Sequence, residues 1–379
     1  PLRQMTDAIA SAPEHLFKPK DAWRVLWGNP QEPDHAHPVG MNPPDGAIIY
    51  YSVATPHQLV TVDILDAKHK LIRSFSSVQD SLSRADSVHD DSVHHVEVDS
   101  TRKAKNDSLV AAGKQPDTSK VTYAGEEAGA GEEEKPWPQR VPPEPRAPDK
   151  PGINRFAWDL RYPGVQGFAG MMDVQTDGPI ALAGRYWVRV HVGQWADSAS
   201  FMLKEDPRVN ATPADLAAQF AFLQRVRDTT NAGTMAVITI RNVRAQLDDR
   251  LEMVHGADST SFATVASVLR DSLDAAEGRL YQSHLQADED ALNYPGKVVE
   301  RVSALSGQVS ASSERPTDQQ VGVFKQFAPV LQRNLLAYKR VLATELPKVN
   351  AKLQALGKPP IEPKAKELRP PKTIASLEN

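Results

Sequence analysis

Between Gly152 and Gly193 the chain runs twice in alternation of apolar and polar positions. In the first run Asn154, Phe156, Trp158 and Leu160 fall opposite Ile153, Arg155, Ala157 and Asp159. In the second, Tyr186, Val188 and Val190 fall opposite Trp187, Arg189 and His191. A period of two places successive side chains on opposite faces and predicts strands. Three upstream runs, 47–52, 59–65 and 71–76, need partners, and these two supply them. Asp66-Ala67-Lys68-His69-Lys70 reads as the turn of a hairpin joining 59–65 to 71–75, half-buried, with Val60, Val62 and Ile64 alternating against Thr61 and Asp63. Asn42-Pro43-Pro44-Asp45-Gly46 reads as the turn before the first of them. A last strand over 195–204 carries Phe201 and Leu203 on one face. The lead-in, 1–40, holds a short helix near 5–10 and a short strand near 22–27, with Trp23 and Leu26 available for packing. Residues 41–77 and 151–208 thus predict one antiparallel β-sandwich.

After residue 208 the period becomes helical. Thr212-Pro213-Ala214-Asp215 is a helix start, with a threonine cap, proline in the first position and an acid in the first turn. Leu216, Phe220, Leu223 and Val226 form its stripe. A second helix is predicted over about 232–255, with Gly256 as its left-handed C-cap, a third over 261–285 and a fourth over 297–309. Thr317-Asp318-Gln319-Gln320 is a capping box opening a fifth, kinked near Pro329 and ended by Gly357. Short connections make neighbours antiparallel, so 212–357 predicts an up-and-down helical bundle. The fold class expected is α+β, multidomain, with a proline-rich extended tail over 358–379.

Residues 78–150 break both periods with an Asp/Ser-rich stretch, an acidic glycine run and a proline-rich run. Such composition cannot offset its ordering entropy and reads as a flexible insertion in the sandwich. It contains His89, Asp90, Asp91, His94 and His95, whose spacing matches no closed metal site. It also contains Trp137, set between prolines, which docks either onto the sandwich or onto another chain.

Composition narrows function mainly by exclusion. A net charge of -4 gives no global basic field for nucleic acid or anionic membrane. No apolar stretch approaches the ~20 residues of a membrane helix, and the opening residues carry no signal-segment pattern. The absence of cysteine removes disulfides, thiolate metal sites and cysteine nucleophiles. A start on Pro1 is expected of a processed or partial chain. No phosphate-binding glycine loop, zinc-protease helix or nucleophile-elbow pattern occurs. Acidic pairs such as Asp248-Asp249 and the run Asp288-Glu289-Asp290 read as solvated faces, since a catalytic pair needs burial to split its pKa values. His191 reads as a packed or rim histidine. Catalytic, cofactor and metal residues are therefore assigned to none. Trp158, Trp187 and Trp195 are, with Trp137, the candidates for ligand or partner contact: Trp158, Trp187, Trp195 and Tyr162 read either as a sugar-stacking platform or as core and edge packing.

The stretches HLFKPKDAWR, NPPDGAIIYY, VTVDILDAKHKLIRSF, GINRFAWDLRYPG, ALAGRYWVRVHV, KEDPR and LNYPGKVVERVSALSG together resemble the C-terminal region of large exported bacterial proteins whose N-terminal part is a sortilin-type β-propeller of neuraminidase-like repeats. Such proteins are often labelled glycosyl hydrolases. The turn Leu182-Ala183-Gly184-Arg185-Tyr186 is similar to that of the immunoglobulin-like module of flagellar hook-cap proteins. The resemblance implies an immunoglobulin-like sandwich, a periplasmic or cell-surface location, and an upstream propeller or neighbouring subunit as partner. It carries over no catalytic residue, because a hydrolase site would lie in the propeller, which this sequence lacks. Two functions compete: a non-catalytic accessory module, and a carbohydrate-binding or hydrolase-associated protein.

Overall fold

The computed structural model describes residues 1–25, 45–55, 58–78, 145–168, 170–285 and 288–364. Four features expected from the sequence lie wholly outside the described residues: the start of the 42–46 turn, Leu26, the histidine–aspartate cluster at 89–95 and Trp137. Most of the 78–150 insertion and the tail beyond 364 lie outside them too.

The described chain is α+β. Its strands are β1 (Glu14–Leu16), β2 (Ala22–Arg24), β3 (Ala47–Val53) and β4 (Val60–Leu65), then β5 (Leu71–Ser76), β6 (Gly152–Trp158), β7 (Gly184–Val192) and β8 (Trp195–Glu205). They form a three-stranded sheet, β1-β3-β6, and a five-stranded sheet, β2-β8-β7-β4-β5. The two alternating runs find the partners expected of them. β6 pairs antiparallel with β3, Ala47 opposite Trp158 and Val53 opposite Gly152. β7 pairs antiparallel with β4, Val60 opposite Val192 and Ile64 opposite Val188. Their apolar faces meet in one core, to which Tyr51, Phe156 and Trp158 come from the smaller sheet and Val62, Val190 and Phe201 from the larger. Local polar groups fix the turns. Asp66 Oδ1 accepts from the backbone N–H of Lys68 and Lys70 at 2.8 and 2.9 Å, closing the β4–β5 hairpin. Asn154 brackets Lys150, accepting from its N–H at 3.2 Å and donating to its carbonyl at 2.7 Å, which sets the entry to β6.

Two strand expectations are corrected. β2 runs parallel to β8, and its inward positions are Ala22 and Arg24. Trp23 therefore points outward and stays half exposed, with the Lys204 ammonium 5.6 Å from its ring centre. β4 is buried at every position rather than half-buried.

A short helix, α1 (Asp7–Ser11), is capped by Thr6. The first two long helices expected prove to be one, α2 (Pro213–Met253), 41 residues long and capped by Thr212. Thr230 and Thr234 are buried within it, so the β-branched, polar segment read as a break is a packing surface. Gly256 has positive φ, as expected, but caps the start of α3 (Ala257–Leu280) rather than the end of α2. α4 (Val298–Ser310) follows a linker, and α5 (Asp318–Thr344) opens on the capping box of Thr317 and Gln320. α5 continues through Pro329; the chain breaks instead at Glu345, before α6 (Leu346–Ala355) with proline in its first turn. These helices share a second core, including Val237, Leu269, Val302, Leu331 and Val349. At Gly233 a Cβ would lie 2.5 Å from Val299 Cγ2, so α4 approaches α2 where α2 has no side chain.

The segment between β6 and β7 is more than a loop. Its two sides pair, Val165 N–H donating to Thr176 O and Ala181 N–H to Leu160 O at 2.8 and 2.7 Å. Its far end reaches the helices: Gln166 N–H donates to Asn231 Oδ1 at 2.8 Å, Met172 N–H to Tyr281 Oη at 2.8 Å and Gln175 N–H to Ser303 Oγ at 2.6 Å. Phe168, Met171 and Val174 pack against the helical core. This arm joins sheet and helices by filling both apolar and polar needs of the helical surface.

Candidate functional site

The outward face of the five-stranded sheet gathers the most chemistry. Inward positions on β7 are taken by Tyr186, Val188, Val190 and Val192, leaving Trp187, Arg189 and His191 outward. Register sets Arg189 and His191 opposite Asp63 and Thr61 of β4, and on the other side of Asp63 stands Ser74 of β5. Asp63 is fully buried under these neighbours. Its Oδ2 accepts from Arg189 Nη2 at 2.7 Å and Nε at 3.2 Å, and its Oδ1 accepts from Ser74 Oγ at 2.7 Å. His191 Nε2 stands 3.6 Å from Oδ2, beyond hydrogen-bond distance. Burial holds the His191 pKa below the ordinary value; the Asp63 charge opposes this and the Arg189 charge adds to it. The arrangement presents a partly exposed guanidinium and an imidazole above a carboxylate held by Arg189 and Ser74. Ser74 donates its hydroxyl proton to Asp63, whose other oxygen is held by Arg189, so the geometry is that of a polar binding or bracing surface.

The tryptophan candidates are not brought together. Trp158 is 0% exposed, its indole N–H donating to Arg161 O at 3.1 Å and its ring against Tyr186 and Phe201. It is core, and its place among possible contact residues is corrected. Trp195, opposite Val192, packs against the same core. Tyr162 also packs there, and meets Phe220 edge-on at 4.9 Å. Trp187 alone of the three faces outward, half-buried, with the His69 ring 4.5 Å away. A coplanar platform is not formed, because strand alternation and register send the indoles to opposite faces.

A second centre lies where the arm meets the helices. Glu300, in the first turn of α4, is 4% exposed. Its Oε1 accepts from Gln282 N–H at 2.6 Å, while Oε2 finds no hydrogen-bond partner among the described residues. Burial raises its pKa to about 7 against the hydrogen bonds from the N–H groups of Gln282, Glu300 and Lys297, with the Asp173 charge on the arm adding to the rise. Nearby, Glu277 is buried between Arg241, at 2.8 Å, and Arg244, and Arg241 lies 4.4 Å over the Phe168 ring of the arm. Sequence reading missed all three buried acids, Asp63, Glu277 and Glu300. Asp63 carried a usable signal, since the hairpin register sets it opposite Ser74 and β7 offers Arg189. Glu300 carried none, standing in Val298-Val299-Glu300-Arg301 like any exposed helical acid.

No group of His, Asp and Glu side chains suited to a metal occurs among the described residues, and none of the described helices is long and apolar enough to cross a membrane. Comparison with models of known protein families, with curated proteins and with solved structures finds no match.

Proposed function

We propose that this chain is a non-catalytic accessory module of an exported bacterial β-propeller protein, an immunoglobulin-like sandwich with an up-and-down helical bundle that makes interdomain or subunit contacts in the cell envelope. The observation that carries this reading is how the polar and aromatic groups are used. Asp63, Glu277 and Trp158 are each committed to internal partners, which is how a scaffold spends such groups. The Tyr186 hydroxyl donating to Leu182 O at 2.8 Å supports the immunoglobulin-like part, being the tyrosine-corner device of such sandwiches. The sortilin-type resemblance supplies the propeller partner and the periplasmic or cell-surface location.

One observation favours a second reading. Trp187, Arg189 and His191 share an accessible sheet face, the mixture of stacking surface and hydrogen-bonding groups on which a carbohydrate binds. Titration with a panel of bacterial envelope glycans separates the two. The accessory reading predicts no saturable binding. Binding that is lost in Trp187→Ala but kept in a distant surface variant would establish the carbohydrate reading instead.

A further inference from the structure

The chain leaves α6 through a tight reversal. Gly357 takes φ of +63°, its N–H donates to Gln354 O at 3.1 Å, and Lys358 N–H donates to Leu353 O at 2.9 Å. Beyond it Lys358-Pro359-Pro360-Ile361-Glu362-Pro363-Lys364 lies along the surface of α2 and α6 with no regular secondary structure of its own. Three side chains at four-residue steps on α2 hold its main chain. Arg250 Nε donates to Pro359 O at 2.9 Å. Gln246 both donates to Glu362 O at 2.9 Å and accepts from Glu362 N–H at 3.0 Å. Asn242 Nδ2 donates to Lys364 O at 2.6 Å. From α6, Asn350 brackets Ile361 in the same way, donating to its carbonyl at 3.0 Å and accepting from its N–H at 2.8 Å. The Ile361 side chain, 1% exposed, enters the helical core.

These contacts read main chain, and their spacing has a physical reason. A four-residue step along a helix advances about 6 Å, and two residues of polyproline-type chain advance about 6.2 Å. The step from Gln246 to Asn242 is therefore in period with an extended peptide, and the two meet residues 362 and 364, two apart, while Arg250, one step away on the same stripe, reaches Pro359, three residues before 362. Prolines at 359, 360 and 363 favour that extended form in advance and leave few amides to satisfy. All four that remain donate: Lys358 to Leu353, Ile361 to Asn350, Glu362 to Gln246 and Lys364 to Glu362. One aliphatic anchor with main-chain clamps on either side is how an extended peptide ligand is held.

We propose that the α2–α6 surface is a docking groove for an extended, proline-flanked peptide with a single aliphatic anchor, and that residues 358–364 occupy it as a tethered ligand that leaves without unfolding the helices. This goes beyond the accessory reading and does not depend on it.

The test uses the full-length chain and a fluorescently labelled synthetic peptide of residues 358–364. In Ile361→Asp the tethered segment loses its anchor and vacates the groove. This variant should bind the free peptide at least tenfold more tightly than the unaltered chain, whose own segment competes at high effective concentration. Adding Asn350→Ala should abolish that binding, as should an Ile361→Asp peptide. A folded Ile361→Asp chain that does not bind the peptide, or binds it regardless of Asn350, overturns the proposal. Hydrogen exchange on the unaltered chain decides the matter should the variant fail to fold. The Ile361 and Glu362 amides are expected to exchange well ahead of those of Val349 and Leu353; exchange in step with α6 means the segment is part of the fold and not a ligand.

Discussion

Asp63 and Glu300 show how differently one buried carboxylate can be handled from the next. Asp63 is held by Arg189 and Ser74 at 2.7 Å each. Removing the guanidinium leaves a buried charge uncompensated, so Arg189→Ala is expected to cost about 2–3 kcal/mol, somewhat reduced by the partial exposure of Arg189. Urea unfolding should show a lower midpoint at unchanged slope. Glu300 has no cation beside it among the described residues, and burial pushes its pKa up to about 7 in the folded chain against an ordinary 4.5. Between those values the folded chain holds a proton that the unfolded chain has lost, so stability falls as pH rises through this window. The contribution is fully present below about pH 4.5 and gone above about pH 7–8, and its size is on the order of 3 kcal/mol. Glu300→Gln removes the titration. Thermal unfolding at pH 5 and pH 8 should therefore show a smaller difference in the variant than in the unaltered chain; an equal difference would place the pH dependence on other groups.

Among the elements, the sheets were legible and the helical connections were not. The positions of β3 to β8 and the inward faces of β6 and β7 follow from alternation, because burying one side of a sheet enforces a period of two, whereas the choice of β3 for β6 and β4 for β7 does not. Residues 229–234 misled for a physical reason. Threonine, asparagine and glycine weaken a helix locally, yet tertiary packing overrides propensity when small side chains admit a neighbouring helix. Gly233 is that point: α4 needs the space a Cβ would fill. Gly233→Ala is expected to destabilise by about 1–3 kcal/mol through overpacking. Gly322→Ala, on an exposed turn of α5 with open space at its Cβ, should stabilise by up to about 1 kcal/mol. Chemical denaturation of the pair reads both signs, and two changes of the same sign would refute the packing account. The arm between β6 and β7 was invisible to periodicity because its contacts are specific, donor by donor, rather than repetitive. The parity of their strand positions, by contrast, separates Trp158 as core from Trp187 on the outward face.

At the scale of the molecule, that arm makes sheet and helices depend on each other. Among the described residues the tryptophans, Trp23, Trp158, Trp187 and Trp195, all lie in strands, so their fluorescence reports the sheet part, whereas circular dichroism at helical wavelengths reports the rest. The two signals should unfold together, and Tyr281→Phe, which removes the acceptor of Met172 N–H, should lower both by about 1–2 kcal/mol. A joined body in which Asp63 and Glu277 are paired with arginines and Trp158 is buried suits a part that holds other parts. That is the account's central claim, and the intact mass of the native protein from its source tests it most directly. The account predicts a mass far above the 41.5 kDa of this sequence, with these residues at the C-terminal end of a chain that begins with a propeller. A native mass equal to 41.5 kDa would contradict it, and the module would then act on its own.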